Sequence, residues 1–285
     1  MARKISFIGV GNMATAILTG ITSRQDDPVA WSDIILFNRH TEKIQKYAAL
    51  GATIAGDLYN AVSDADIIML CVKPQNFPEI LSGISTFPGM SDKLFVTIAA
   101  GISADEVSSA AHGAGVVRAM PNTPMLIGCG VTAICRNAKV SDDEYDFVCK
   151  MFASSGKVFS IQEKEMNRII CVSGSSPAYV FMIIKAMYQG AVEQGLLRET
   201  DSCAGLTEKE LINVICDTII GSATLMKNGE KTPDEQIRTV CSKGGTTERA
   251  ISELEDRGIY EAFSSAMRKC SERAEELGAK NKQKG

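Results

Sequence analysis

The chain is short of histidine, tryptophan and proline: its 285 residues hold two His (His40 and His112), one Trp and eight Pro. Two histidines give no zinc-ligand spacing and no H-E-x-x-H helix. The nine cysteines include no C-x-x-C pair, so no metal site is expected. An odd, scattered set of cysteines fits a reducing compartment, where Cys behaves as a small buried hydrophobe. An excess of one charge is also lacking. Thirty basic against 34 acidic residues leave a formal net charge of −4, which gives no electrostatic case for binding nucleic acid. Long apolar runs are absent too. The most apolar window, Pro177 to Tyr188, is interrupted by Lys185 and reads as shorter than the roughly 20 residues a membrane span needs. No apolar leader stands ahead of the first strand. The expectation is a soluble, cytoplasmic protein with no nucleic-acid or membrane partner.

What is present is ordinary globular composition, 45% apolar and 22% charged, with length enough for two domains. The first half alternates short β-rich runs with helical patterns, which predicts a parallel sheet with crossover helices. Lys4–Ile8, Ile34–Phe37, Ile67–Cys71, Leu94–Ile98 and Gly115–Ala119 read as strands, and Val131–Cys135 and Val158–Ile161 extend the sheet. Met13–Thr22, Thr41–Leu50 and Ser103–Ala110 read as helices between them. Beyond Gln162 strands cease, and long helical segments follow at Pro177–Gln194, Thr207–Lys227, Thr246–Glu255 and Ile259–Leu277, with loops marked by Gly195, Gly205, Gly229, Pro233 and Gly258. Two domains are expected, 1–162 and 163–285, the second all-helical. The Pro177–Tyr188 helix is apolar nearly all round, so it must be buried on all sides. Its own domain can hide it, or the same helix of a second subunit can.

At the N-terminus, Ile8-Gly9-Val10-Gly11-Asn12-Met13-Ala14 joins a strand to a helix with the spacing G-x-G-x-x-A, a dinucleotide-binding fingerprint. Gly9 makes the tight turn, Gly11 lets the backbone approach a pyrophosphate, and Ala14 permits close helix–strand packing. The helix start adds free N–H groups and partial positive charge. The first domain is therefore read as α/β, of Rossmann type. At the end of the second strand, an NAD site places an acid on the ribose, whereas an NADP site offers Arg to the extra phosphate. Here Asn38-Arg39-His40-Thr41 carries no acid. Arg39 either binds phosphate or is a solvated loop residue; we read NADPH, with NADH as the other possible donor.

Three further turns follow strands: Cys71-Val72-Lys73-Pro74-Gln75, Ala99-Ala100-Gly101 and Met120-Pro121-Asn122-Thr123-Pro124. In an open α/β sheet ligands sit beyond the carboxyl ends of the strands, where these lie. Their small residues and prolines would wall a nicotinamide ring, which adds Pro74, Ala99 and Asn122 to the cofactor set. In the helical half, Val172-Ser-Gly-Ser-Ser-Pro-Ala-Tyr179 opens the apolar helix and Ser242-Lys-Gly-Gly-Thr-Thr247 opens another. This ordered set resembles the pyrroline-5-carboxylate reductase family over essentially the whole chain. The family carries V-K-P, M-P-N-T-P, S-G-S-x-P-A-Y and S-P-G-G-T-T in the same order.

The resemblance implies a Rossmann domain, a helical dimerisation domain, homodimers that assemble into larger rings, and reduction of 1-pyrroline-5-carboxylate to L-proline. Carried over, the backbone from Ile8 to Met13 holds the pyrophosphate, and Asn38, Arg39 and Thr41 surround the adenosine ribose and its phosphate. Val72, Lys73 and Ala100 flank the nicotinamide. Thr246 and Thr247 contact the substrate, Thr247 as the catalytic residue; the Ser242, Gly244 and Gly245 loop holds the carboxylate, and Glu230 lies near the ring nitrogen. Two departures stand out. Lys243 replaces the family's proline, and either attracts the carboxylate or points into water; we read water. A family Asn on the ribose aligns near Leu58, with Asn60 out of register.

A C=N bond accepts hydride most readily when its nitrogen is protonated, so the protein mainly has to align the partners and hold that protonation state. Glycines 244 and 245 would expose consecutive N–H groups to a carboxylate. The Thr247 hydroxyl can meet the ring nitrogen, or Thr246 or Thr247 can be a plain helix N-cap. His40 and His112 read as surface residues. Two rivals stay open: a β-hydroxyacid dehydrogenase with Lys185 as its catalytic lysine, and a non-catalytic NADPH sensor.

Overall fold

The computed structural model describes residues 3–24, 29–197 and 205–282, the side chains of 280–282 excepted. Strand β1 (Ile5–Ile8) is buried on both faces, as a central parallel strand requires. It pairs in parallel with β2 (Ile34–Phe37) on one side and β4 (Ile67–Leu70) on the other. Strands β3 (Thr53–Ile54), β5 (Leu94–Thr97), β6 (Gly115–Met120), β7 (Gly130–Arg136) and β8 (Gly156–Ser160) complete one sheet in the order β3-β2-β1-β4-β5-β6-β7-β8. The order reverses between β1 and β4, which opens a crevice at their carboxyl ends.

Alternate side chains feed two cores. Ile5, Phe7 and Met69 meet α1 (Asn12–Thr22) and α6 (Asp142–Ala153) through Ile17, Ile21, Met151 and Phe152. Ile8, Ile68 and Phe95 meet α3 (Leu58–Ser63), α4 (Phe77–Ile84) and α5 (Ala104–Ala110). The expected α/β sheet is present, with three differences. Strand β3 is only two residues long, too short for a periodic signal. Strand β7 runs antiparallel to β6, because the connection from Pro121 to Cys129 is shorter than the dozen or more residues of a parallel crossover. The expected helix Thr41–Leu50 is a 3-10 turn, Thr41–Lys43, followed by a single α turn, α2 (Gln45–Ala48).

The remaining helices are α7 (Ser176–Glu193), α8 (Glu208–Asn228), α9 (Pro233–Val240), α10 (Thr246–Asp256) and α11 (Ile259–Lys282). Helix α9 stands where the sequence pattern marks a loop at Pro233. Pro233 instead occupies the first turn behind a Thr232–Glu235 capping box, where its missing N–H costs nothing. By compactness the chain divides into one unit of Met1–Pro177 with Met267–Gly285 and another of Ala178–Ala266.

The second unit has almost no core of its own. Of its described hydrophobic residues only Leu211 and Ile215 are buried, while Phe181 and Met182 on α7 are 62% and 68% exposed. Helix α7 is therefore not buried within its own chain, which corrects the first of the two expectations for it and leaves the second. The helical stretch Ile169–Glu193 is also, by length and composition, long and apolar enough to cross a membrane. That stretch is longer than the Pro177–Tyr188 window, which by itself is too short.

Candidate active site

A cavity of about 890 Å³ opens at the carboxyl ends of β1, β2 and β4. Its floor is the glycine turn. Gly9 has φ +88°, and a Cβ there would stand 2.7 Å from Cγ1 of Val72, so only glycine fits. Gly11 is different: a Cβ there would meet nothing within 4 Å, because its bare face looks into the cavity. Gly11 is also the N-cap of α1 and makes no side-chain cap, so the first amides of the helix are left for a ligand. An open glycine face over uncapped amides is what a dinucleotide pyrophosphate requires, and the residues present fit that group.

Asn12 and Val10 line the same cavity; Ile8 is buried beneath it, and Met13 packs against the core. Asn38 straps the turn to the end of β2: the Val10 amide donates to its Oδ1 at 3.4 Å, and its Nδ2 donates to the His40 carbonyl at 3.0 Å. Arg39 is exposed and lines the cavity; Thr41 is exposed but does not line it. Val72 and Lys73 line the opposite wall, whereas Pro74 begins the 3-10 turn that follows. Cys71, just before Val72, also lines the cavity, and burial pushes its thiol well above the usual range. Ala99 and Ala100 stand at the end of β5, where the Thr97 hydroxyl accepts from the Ala99 amide at 3.3 Å. They are not among the residues lining the cavity. The Asn122 side chain is used internally: Nδ2 donates to the Ser173 carbonyl at 3.1 Å and Oδ1 accepts from the Val131 amide at 2.8 Å.

Lys43, Asp57, Tyr59 and Asn76, which no sequence motif marks, also stand in the cavity wall, as does Gln75 of the turn after β4. Lys43 was legible in principle, as a second cation in the turn after Arg39. Leu58 lines the cavity, while Asn60 is held by Asp57, which accepts from its side chain at 2.9 Å.

In the helical unit, α10 starts at Thr246 with Gly245 as its N-cap and no side-chain cap. Thr246 and Thr247 are therefore first-turn residues and not caps. Thr247 is half-buried; Thr246, Ser242, Lys243, Gly244 and Glu230 are exposed. The expectation that both glycine amides stand open is corrected. The Gly244 amide donates to Oε2 of Glu248 at 2.6 Å, and the Gly245 amide donates to the Ser242 carbonyl at 2.9 Å. The amides of Thr246, Thr247 and Glu248 are those the helix itself leaves over. His40 and His112 are exposed, as expected. Among the described residues no three His, Cys, Asp or Glu side chains gather to hold a metal ion.

Residues 4–101 match a family model described as NADP oxidoreductase coenzyme F420-dependent, and residues 163–277 match one described as pyrroline-5-carboxylate reductase dimerisation. The solved pyrroline carboxylate reductase of Plasmodium falciparum with NADP bound shares the fold, with a TM-score of 0.85 and 24% identity over 97% of this chain and 98% of that one. The 1-pyrroline-5-carboxylate reductase of Streptococcus pyogenes superposes with a TM-score of 0.84 at 28% identity, covering 96% of this chain and 98% of that one. The pyrroline-5-carboxylate reductase of Corynebacterium melassecola is 36% identical over 281 residues, 96% of this chain and 98% of its own length. With a glycine turn shaped for a dinucleotide and a likeness that runs nearly end to end, the chain belongs to the pyrroline-5-carboxylate reductase family.

Proposed function

We propose that this chain reduces 1-pyrroline-5-carboxylate to L-proline with hydride from NADPH, and that the residues named from the sequence carry the reaction. The observation that carries the reading is the open Gly11 face beneath a cavity walled by Arg39 and Val72, in a chain of this family throughout its length. NADPH supplies the hydride when bound. The backbone from Ile8 to Met13 holds the pyrophosphate, and Asn38 and Arg39 the adenosine ribose with its phosphate. Lys43 adds a second cation on that side, with Thr41 beside it. Val72, Lys73, Pro74, Ala99 and Ala100 form the nicotinamide side. Asn122, whose side-chain nitrogen and oxygen each hold an internal bond, serves it by shaping the loop after β6.

The substrate residues sit at the start of α10. The free first-turn amides of Thr246 and Thr247 hold the carboxylate with the helix N-terminus behind them. The Gly244–Gly245 turn presents them, Ser242 closes that turn, and Lys243 faces water. The Thr247 hydroxyl meets the ring nitrogen, with Glu230 as a neighbouring acid. Functionally, 1–162 binds the cofactor and 163–285 binds substrate and a second subunit. The exposed α7 surface supports a homodimer, and larger rings of dimers extend that reading. The setting is cytoplasmic, without nucleic-acid or membrane partners. The rival based on Lys185 has only an exposed lysine on an apolar helix to rest on, which fits a residue lying along an interface. Purified protein given pyrroline-5-carboxylate should oxidise NADPH and yield proline in equal amount; oxidation only with a carbonyl substrate would overturn the reading.

A further inference from the structure

We propose that Gly278, near the end of α11, is a positioning residue for the nicotinamide wall: its lack of a side chain lets the helix backbone press on the Ala99–Ala100–Gly101 turn. The proposal rests on the reading that Ala99 and Ala100 flank the nicotinamide. Gly101 has φ +77°, a left-handed conformation that favours glycine. A Cβ on Gly101 would stand 2.8 Å from the Ala274 carbonyl oxygen and 2.8 Å from the Gly278 nitrogen. In the other direction, a Cβ on Gly278 would stand 2.6 Å from the Gly101 carbonyl oxygen and 3.4 Å from its carbon. Ordinary non-bonded contacts settle at about 3.5–4.0 Å, so a methyl on either residue requires movement. Every crowded atom is main chain, which cannot rotate aside as a flexible side chain could.

The surroundings direct that movement. Gly278 is buried, Ala274 is buried, and Ala100 packs against the same small cluster. Cys270, one helical turn before Ala274, is 3.1 Å from the Ser175 hydroxyl, which pins this half of α11. On its other side the turn is tied to β5 through Thr97 and anchored by buried Ile102. A push from Gly278 is thus carried along the turn to Ala99 and Ala100. Glycine is disfavoured in a helix interior, and close approach of two backbones is the reason for one here.

The test uses the full chain carrying Gly278→Ala, with kinetics, NADPH binding and binding of 2′,5′-ADP, which has the adenosine end without the nicotinamide. A misplacement of about 1 Å costs on the order of a hundredfold in rate. We expect kcat/KM to fall tenfold or more and NADPH to bind more weakly, with 2′,5′-ADP affinity unchanged. A chain ending at Leu277 removes the prop without adding a clash, and should show the same split. Unchanged kinetics in both variants, or equal loss of both ligands, overturns the proposal. Ala100→Val separates the two layers of the argument. If it weakens NADPH while Gly278→Ala does not, the positioning role is wrong and the nicotinamide reading stands; if neither weakens NADPH, the nicotinamide reading itself falls.

Discussion

The side chain of Asn38 joins the glycine turn to the segment that carries Arg39, accepting from Val10 at 3.4 Å and donating to the His40 carbonyl at 3.0 Å. Breaking this strap should act on the cofactor as a whole, whereas Arg39 should act on one phosphate. Asn38→Ala is expected to raise KM for NADPH and NADH alike. Arg39→Ala should raise it for NADPH alone by about ten- to a hundredfold, the worth of one charge-assisted bond. Steady-state kinetics of both variants with both cofactors decide the matter, and equal effects of Arg39→Ala on the two would remove Arg39 from the phosphate.

The two glycines of the turn should fail differently. Gly9→Ala forces a residue at φ +88° against Val72, so it should lose more than about 1 kcal/mol of stability and melt at a lower temperature. Gly11→Ala puts a methyl into open space, so the cofactor-free protein should melt as the parent does while NADPH affinity falls at least tenfold. Differential scanning calorimetry beside NADPH titration checks both.

Thr247 is the catalytic residue to test. Because Gly245 and not a threonine caps α10, Thr247→Ala should leave the melting temperature close to that of the parent. It should lower kcat and kcat/KM together, by about thirtyfold for a hydrogen bond to a charged group of about 2 kcal/mol. Thr247→Ser keeps the hydroxyl and should keep most activity. A Thr247→Ala protein with normal kcat and KM would take the residue out of the chemistry.

Phe181 is exposed in the single chain, so a charge there disturbs no intrachain core. Phe181→Glu should yield protein that sediments as a smaller species than the parent and melts at a lower temperature. An unchanged sedimentation profile would place the subunit interface elsewhere.

The glycine turn and the strands flanking it were legible because short buried strands and G-x-G-x-x-A leave local marks. Part of what escaped was set by tertiary context, and part by local caps that a stop signal masks. Strand β3 is two residues, placed by pairing with Ile35 and Leu36 and by the packing of Ile54 on the core. Helix α9 hid behind Pro233, which a sequence pattern reads as a stop and a capping box turns into a start. The internal engagement of the Gly244 amide depends on the rotamer of Glu248, and the Gly101–Gly278 approach joins positions far apart in the chain. The first is a contact across four residues, an acid in the first turn of α10 reaching back to the turn before it, and only the second has no local signature.

A helical unit with Leu211 and Ile215 as its only described buried hydrophobic residues makes the abundance of the chain a variable of its folding. Where a second copy completes the core, stability is inseparable from protomer concentration. Each newly made chain then carries a sticky surface until it meets another. Dilution, low expression or a slow supply of partners would expose it to proteolysis and aggregation, and a defective copy that still pairs would take a sound one out of use.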